Sequence, residues 1–385
     1  MTPRSAISVL LLMAFAAKEG SAFTSFTKTP SLMARAQNTG SAARSRLTPS
    51  MSVWSNSKTT ADYMGNVNSR KGMDFSDNDV DESLCDQAST IIGAGGRIGG
   101  LLAKLGKDGD LLIGRGEKIP EDAPPGPIYV CTRNDVLKDV IDACPESRRE
   151  DLVFMQNGMI EIFLNKQGVG GCTQALLYFA VPAKGAKPVD GKIPSQPEGL
   201  TCVMGKWGHA LKQRLDKADL LCNVVQRDTF RRAMFEKLIW ISAYMLIGAA
   251  TESETVGRVD RFFKELLEDL IWEMRGSIGK RTAINFATGL ETRLSEYAMA
   301  VEDFPIGVKE WEWRNGYFWA ISRNAIKNAR PGALGHPDRF GKREELPTGE
   351  DADPMPLHSM LCRKAKELGA ITFELPEDEG GVDLF

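Results

Sequence analysis

The sequence predicts an α/β domain built on a parallel sheet, followed by an all-α domain. Two observations predict this directly. From Ser89 to Gly158 short β-branched runs alternate with helical stretches, and beyond Lys206 the apolar residues fall at helical spacing. A third sets where the fold begins: residues 1–61 have the composition of a targeting segment. The length, 385 residues, suits two domains of ~100–200 residues each. With 42% hydrophobic and 26% charged residues the chain can build an ordinary globular core. A net charge of −3 offers no basic field for nucleic acid or an anionic membrane.

The N-terminus reads in two parts. Arg4 precedes an apolar run, Ile7 to Ala17, broken only by Ser8, and Gly20-Ser21-Ala22 supplies small residues for cleavage. That run is signal-peptide architecture, too short to span a bilayer. From Gly20 to Ala61 there is no Asp or Glu, and Lys28, Arg35, Arg44, Arg46 and Lys58 stand among Ser, Thr and Ala. Basic, hydroxyl-rich and acid-poor is transit-peptide composition. With Phe23 directly after the expected cut, residues 1–61 resemble the bipartite plastid presequences of algae with secondary plastids. The resemblance implies a plastid stromal protein. A secretory destination is the alternative, and the acid-free tract speaks against it. Removing 1–61 takes seven basic residues and one acid from totals of 48 and 51, leaving a mature net charge of −9. Residues 62–84, with Asp62, Asp74, Asp77, Asp79, Asp81 and Glu82, read as a solvated linker.

The first domain is expected over 85–205. Ser89-Thr90-Ile91-Ile92 is a β-branched run that enters Gly93-Ala94-Gly95-Gly96-Arg97-Ile98-Gly99-Gly100, and Leu101, Leu102 and Leu105 follow at helical spacing. Strand, glycine turn and helix is the context a dinucleotide fingerprint requires. Glycines let the chain turn tightly and bring backbone N–H groups to a pyrophosphate at a positive helix end. The spacing here fits G-x-x-G-x-x-G, on Gly93, Gly96 and Gly99 with Gly95 inside the turn, or a turn one residue longer. Asp110-Leu111-Leu112-Ile113-Gly114-Arg115-Gly116 looks like the second strand. An NAD site often places an acid at that strand's end for the ribose hydroxyl. Here Arg115 stands there, which suits a 2′-phosphate, so NADP(H) is favoured over NAD. Read without that role, Arg115 is a surface arginine in a turn.

Pro127 to Thr132 reads as a third strand, Asp135 to Ala143 as a helix with Val136, Leu137, Val140 and Ile141 on one stripe, and Leu152 to Met155 as a fourth strand ending in Gln156-Asn157-Gly158. Strands alternating with helices give a Rossmann-like parallel sheet whose carboxyl ends gather at the ligand-binding edge. Asn157 sits at that edge. An Asn-Gly pair that merely forms a turn would look the same.

The helical domain is expected over 206–370. Leu211, Leu215 and Ala218 have helical spacing. Leu238 to Ala250 is thirteen residues broken only by Ser242 and Gly248, too short for a span and suited to a buried central helix. Phe262, Phe263, Leu266, Leu267, Leu270 and Ile271 are expected to line one face of the next helix. Residues 330–353, rich in Gly, Pro and charge, read as an inserted loop, and 371–385 as an acidic tail. The seven cysteines, Cys85, Cys131, Cys144, Cys172, Cys202, Cys222 and Cys362, hold no C-x-x-C pair and are odd in number. That argues against a disulfide framework and a zinc site, so no metal is expected.

Four stretches together resemble the ketopantoate reductase family, within the larger group related to 6-phosphogluconate dehydrogenase. They are Gln156-Asn157-Gly158, Phe235-Glu236-Lys237-Leu238-Ile239-Trp240, Lys309-Glu310-Trp311-Glu312-Trp313-Arg314-Asn315-Gly316, and Asp353-Pro354-Met355-Pro356-Leu357-His358 through Leu368-Gly369. They appear in the family's order. The resemblance implies NADPH-dependent reduction of a 2-oxo acid in a cleft between the two domains. It implies Lys237 as general acid, Glu310 as the substrate-binding glutamate, and Arg133 near the cofactor in place of a lysine. A lysine entering a long apolar run would have its charged form disfavoured by burial. The bland alternatives are a Lys237 snorkelling from a helix end and a solvated Glu310 beside aromatic core.

The sequence departs from the family where substrate is held. Ile241 and Met245 stand in place of asparagines four and eight residues after the lysine, and Ala298 near a serine. The expected function is therefore an NADPH-dependent oxidoreductase acting on a small carbonyl substrate through an altered pocket. The alternative is a non-catalytic NADP-binding plastid protein, a redox-sensing or assembly partner. A homo-oligomer built on the central helix is compatible with either.

Overall fold

The computed structural model describes residues 85–282, 284–336 and 342–376. The expected signal and transit segment, the linker and residues 377–385 of the tail lie outside the described residues, as do 337–341 of the 330–353 loop.

Seven short strands form one sheet in the order β2-β1-β3-β4-β5-β6-β7. They are β1 Thr90–Ile92, β2 Leu111–Ile113, β3 Ile128–Val130, β4 Leu152–Phe154, β5 Thr173–Leu176, β6 Cys202–Met204 and β7 Asn223–Val224. β1 to β5 are parallel; β6 runs antiparallel to β5, and β7 parallel to β6. A parallel sheet must be covered on both faces, and its central strands β1, β3 and β4 are accordingly buried along their whole length. Alternate residues divide between two cores. Ile91, Tyr129, Val153, Ala175 and Val203 pack under helix α1 (Arg97–Lys104) and the later helix over Gly208–Asp216, through Leu101, Leu102, Leu211 and Leu215. Ile92, Ile128, Val130, Leu152 and Phe154 pack under α2 (Leu137–Ala143) and α3 (Glu161–Lys166), through Leu137, Ile141 and Leu164. The α/β expectation for the first half is thus what the chain forms. Helix α2 is preceded by a 3-10 turn over Asn134–Val136. There the Asn134 side chain donates to Asn157 O at 2.9 Å, which draws that turn onto the sheet edge.

The sheet does not end where the sequence reading places the domain change, at 205. α4 (Gly208–Asp216) and β7 follow that point and belong to the sheet layer. Arg214 on α4 is fully buried; it donates to Asp110 at 2.7 Å and stacks 5.2 Å from the Tyr129 ring. The helical spacing of Leu211 and Leu215 is real, but it serves the sheet.

The helical half is built around α5, Arg227–Ala250. It is the one helix among the described residues long and apolar enough to cross a membrane, and its apolar window is wholly buried. A helix apolar all round belongs at the centre of a core. α5 contacts α6 (Val256–Phe262), α7 (Lys264–Thr282), α8 (Leu290–Ala300), α10 (Pro356–Glu367) and strands β5 and β6. A buried Glu236–Arg293 ion pair of 2.8 Å ties α5 to α8. α9 (Asn315–Asn328) and α10 complete the layer. The amino end of α10 is capped from α7 by Glu273, whose carboxylate accepts from Leu357 N at 3.0 Å and His358 N at 3.1 Å. One expectation fails here. Phe262 through Ile271 is two helices, because the chain breaks at Phe263, and the break turns Phe262 to solvent at 67% exposure. Leu266, Leu267, Leu270 and Ile271 are buried as expected.

Candidate active site

The glycine turn follows β1 directly. Gly93 has φ +80°, and a Cβ there would lie 2.8 Å from Cys131 O; a Cβ on Gly99 would lie 2.3 Å from Gly93 O. These two glycines are demanded by the chain itself. Gly96 is the N-cap of α1 with extended backbone and no side-chain cap, and its N–H donates to Gly93 O at 2.9 Å. Gly95 has open space where a Cβ would be. An uncapped helix start beside such open backbone is a fitting place for phosphate. Thr132, just after neighbouring β3, adds a buried hydroxyl with no hydrogen-bond partner among the described residues. These features fit a nicotinamide dinucleotide.

Arg115 lies exposed in the turn after β2 and makes no hydrogen bond or ion pair among the described residues. Two residues on, Glu117 folds back to accept from Gly114 N at 2.6 Å. Sequence reading overlooked this acid, which stands near the position where ribose-binding carboxylates occur. It also overlooked exposed Arg97 in the first turn of α1, which reaches toward Val181 O at 3.4 Å. Arg133 is exposed and ion-paired with Asp135 at 2.6 Å. Asn157 O accepts from Asn134, while Gln156 Nε2 donates to Val130 O at 2.8 Å and Thr132 O at 3.1 Å. The ends of β3 and β4 are stitched together by these side chains.

Lys237 reaches the same edge from α5. Its ammonium donates to Leu177 O, immediately after β5, and lies 4.3 Å from the centre of the Tyr178 ring. The side chain is buried. Burial pulls its pKa down to about 7, Cys202 opposing the shift and the positive charge of Arg314 adding to it. A lysine in this range is half protonated near neutrality, as proton transfer to an alkoxide needs. The sheet order places the carboxyl ends of β1, β3, β4 and β5 side by side, so the glycine turn and Leu177 stand about 14 Å apart at ~4.8 Å per strand.

The Glu310 segment docks on this edge at β4. Trp313 O accepts from Met159 N at 2.7 Å, and a Cβ on Gly158, at φ +103°, would lie 2.5 Å from that oxygen. Gly158 therefore has a packing reason beyond an Asn-Gly turn. Glu310 adopts the left-handed region at φ 49° and ion-pairs with Arg314. No hydrogen bond joins Glu310 to Lys237 among the described residues; its carboxylate is turned to Arg314. The surroundings of Lys237 are apolar and aromatic. Ile241 and Ala298 are buried. Tyr297 packs on Tyr178 at 4.8 Å and on Trp240 at 4.6 Å. Tyr178, Trp240, Tyr297 and Arg314 were missed in the sequence, although Trp240 and Arg314 lie within the stretches that carry the resemblance. A separate cleft lined by Gly248, Glu252, Ile306 and Gly369 lies at the far end of α5, about 16 Å from Lys237 at 1.5 Å per residue.

No protein-family model matches this sequence, and no curated protein matches it either. Solved structures do. One is a PanE/ApbA-family ketopantoate reductase from Ralstonia eutropha, at 14% identity over 73% of this chain and 99% of that one, with a TM-score of 0.48. Another is 2-dehydropantoate 2-reductase from Geobacter metallireducens, at 15% identity over 73% and 99%, TM-score 0.46. D-mandelate dehydrogenase with NADH and anilino(oxo)acetate is similar at 10% identity over 73% and 99%, TM-score 0.48. The Rossmann-like and helical architecture stands on this chain's own strands and helices.

Proposed function

We propose that this chain is an NADPH-dependent reductase of 2-oxo acids or related carbonyls, working in the plastid stroma. The observation that carries this reading is Lys237. It is buried, its pKa lies near 7, and it sits on the sheet edge that holds the glycine turn. Gly93, Gly96 and Gly99 shape the turn, with Gly95 and the amino end of α1 meeting the pyrophosphate. Arg115 and Arg97 would meet the 2′-phosphate. Bound NADPH would supply the hydride. Lys237 would hold the carbonyl oxygen by a hydrogen bond and give it a proton as negative charge develops there. Tyr178, Trp240, Tyr297 and Ile241 would exclude water and favour a substrate with an apolar side chain. The presequence supports the plastid destination. A reporter fused to residues 1–61 should enter plastids, and a secreted reporter would sink that part.

The deciding experiment titrates the chain from Asp62 onward with NADPH and NADH. Micromolar NADPH binding, much weaker NADH, and loss of that preference in Arg115→Ala support the cofactor reading. A preference for NADH would hand the ribose to Glu117. Binding of neither would remove the enzyme reading. A second reading, a non-catalytic NADP-binding protein, is favoured by one observation: Leu177 O and the Tyr178 ring occupy the Lys237 ammonium. Tight NADPH binding with no turnover on any 2-oxo acid would establish it.

A further inference from the structure

We propose that Arg314 is the residue that anchors the carboxylate of the substrate, a role for which Ile241, Met245 and Ala298 offer no donor. This rests on the reductase reading above and identifies how that same site selects 2-oxo acids over neutral ketones. The guanidinium carries five donors in a planar fork. In this structure its Nη2 is bonded to Glu310, while its Nε is buried and has no hydrogen-bond partner among the described residues. Nη2 carries two N–H groups, and the edge that Nε shares with Nη2 is the edge that receives a carboxylate in a bidentate pair. The side chain is only 13% exposed, so an incoming carboxylate would meet a charge already stripped of most of its water.

The backbone fixes this fork firmly. Trp313 is held to β4 through Met159 N, and Gly158 leaves room for it and nothing larger. Glu310 sits in a conformation L-residues rarely take, φ 49°, and from there faces the guanidinium. Arg314 is also the cation whose field reaches the Lys237 ammonium. A 2-oxo acid carries its carboxylate one bond from its ketone. The Arg314 segment docks at the end of β4 and Lys237 meets the residue after β5, so two cations, one for each group, serve neighbouring strand ends. Glu310 then holds the arginine in place and contacts substrate only through it, which differs from the direct role implied by the family resemblance.

The test uses the mature chain saturated with NADPH and two inert probes, oxamate and its neutral counterpart oxamide, followed by calorimetry. Wild type should bind oxamate at least 30-fold more tightly than oxamide. Arg314→Gln should weaken oxamate about 100-fold, leave oxamide and NADPH within twofold, and Arg314→Lys should restore part of the loss. Equal affinity of wild type for the two probes overturns the proposal, and that measurement needs no variant to fold. So does unchanged oxamate binding in Arg314→Gln. Absence of NADPH binding is a different result, which removes the reductase reading and this anchor with it.

Discussion

The two ends of the site lie on one sheet edge and are built by opposite means. The glycine turn is backbone, open to solvent and specified by absent side chains. The Lys237 end is side chain, buried, and specified by what surrounds it. Backbone demands recur in any chain that makes the same turn, so they are visible in sequence. A buried ammonium takes its properties from neighbours far along the chain, here Leu177, Tyr178, Cys202 and Arg314.

The largest expected effect breaks the two ends apart. Lys237→Ala should lower kcat by roughly 10³, within the range of a lost general acid, while the NADPH Kd stays within twofold. Stopped-flow hydride transfer and fluorescence titration measure the two halves separately. Equal loss in both would mean that Lys237 supports the fold of the cofactor site. If Lys237 is the proton donor, carbonyl reduction in wild type should fall as pH rises through about 7.

The next effect reverses the usual expectation for a mutation at a buried site. Lys237 has a folded pKa near 7 against 10.5 for the free side chain. Between those values the unfolded chain binds more protons, so its contribution to stability improves as pH rises through that window. Below about 7 the full penalty of burying the ammonium is present. Lys237→Met removes it. The variant should be more stable than wild type by a few kcal/mol at pH 6, and the gain should shrink toward zero by pH 10. Paired denaturant titrations at both pH values measure this. A gain that does not change with pH would mean the ammonium is solvated.

These contrasts also mark what could be read beforehand. β1 to β4 were legible because β-branched runs sit between turn residues, and Gly93 and Gly99 because only glycine avoids the 2.8 Å and 2.3 Å contacts there. β5 to β7 were not. They are two to four residues long, read Thr-Gln-Ala-Leu, Cys-Val-Met and Asn-Val, and carry no alternation. They become strands through pairing between residues 20 to 30 positions apart, which no local pattern records. Phe262 was misplaced for the opposite reason. Its helical spacing was genuine, but the helix ends at Phe262, where Phe263 leaves helical backbone, and that ended the period. Lys237 was legible as a lysine beside an apolar run. The aromatic group over it was not, because Tyr178, Trp240 and Tyr297 come from three separate segments.

The smallest effect sharpens the comparison inside the turn itself. Gly99→Ala forces a methyl to within 2.3 Å of a backbone oxygen, so the turn must move, with a stability loss of about 2–3 kcal/mol. Gly95→Ala meets nothing within 4 Å and needs no left-handed backbone, so its stability should stay within about 0.5 kcal/mol of wild type. On the proposed reading its NADPH affinity should nonetheless fall severalfold, because the added methyl would occupy the ground over which the pyrophosphate would approach the backbone. Thermal unfolding and NADPH titration of the two variants give four numbers. Unchanged affinity in a stable Gly95→Ala would place the phosphates elsewhere on the edge. Weakened affinity without lost stability would separate the glycines that build the turn from the one that leaves room for its ligand.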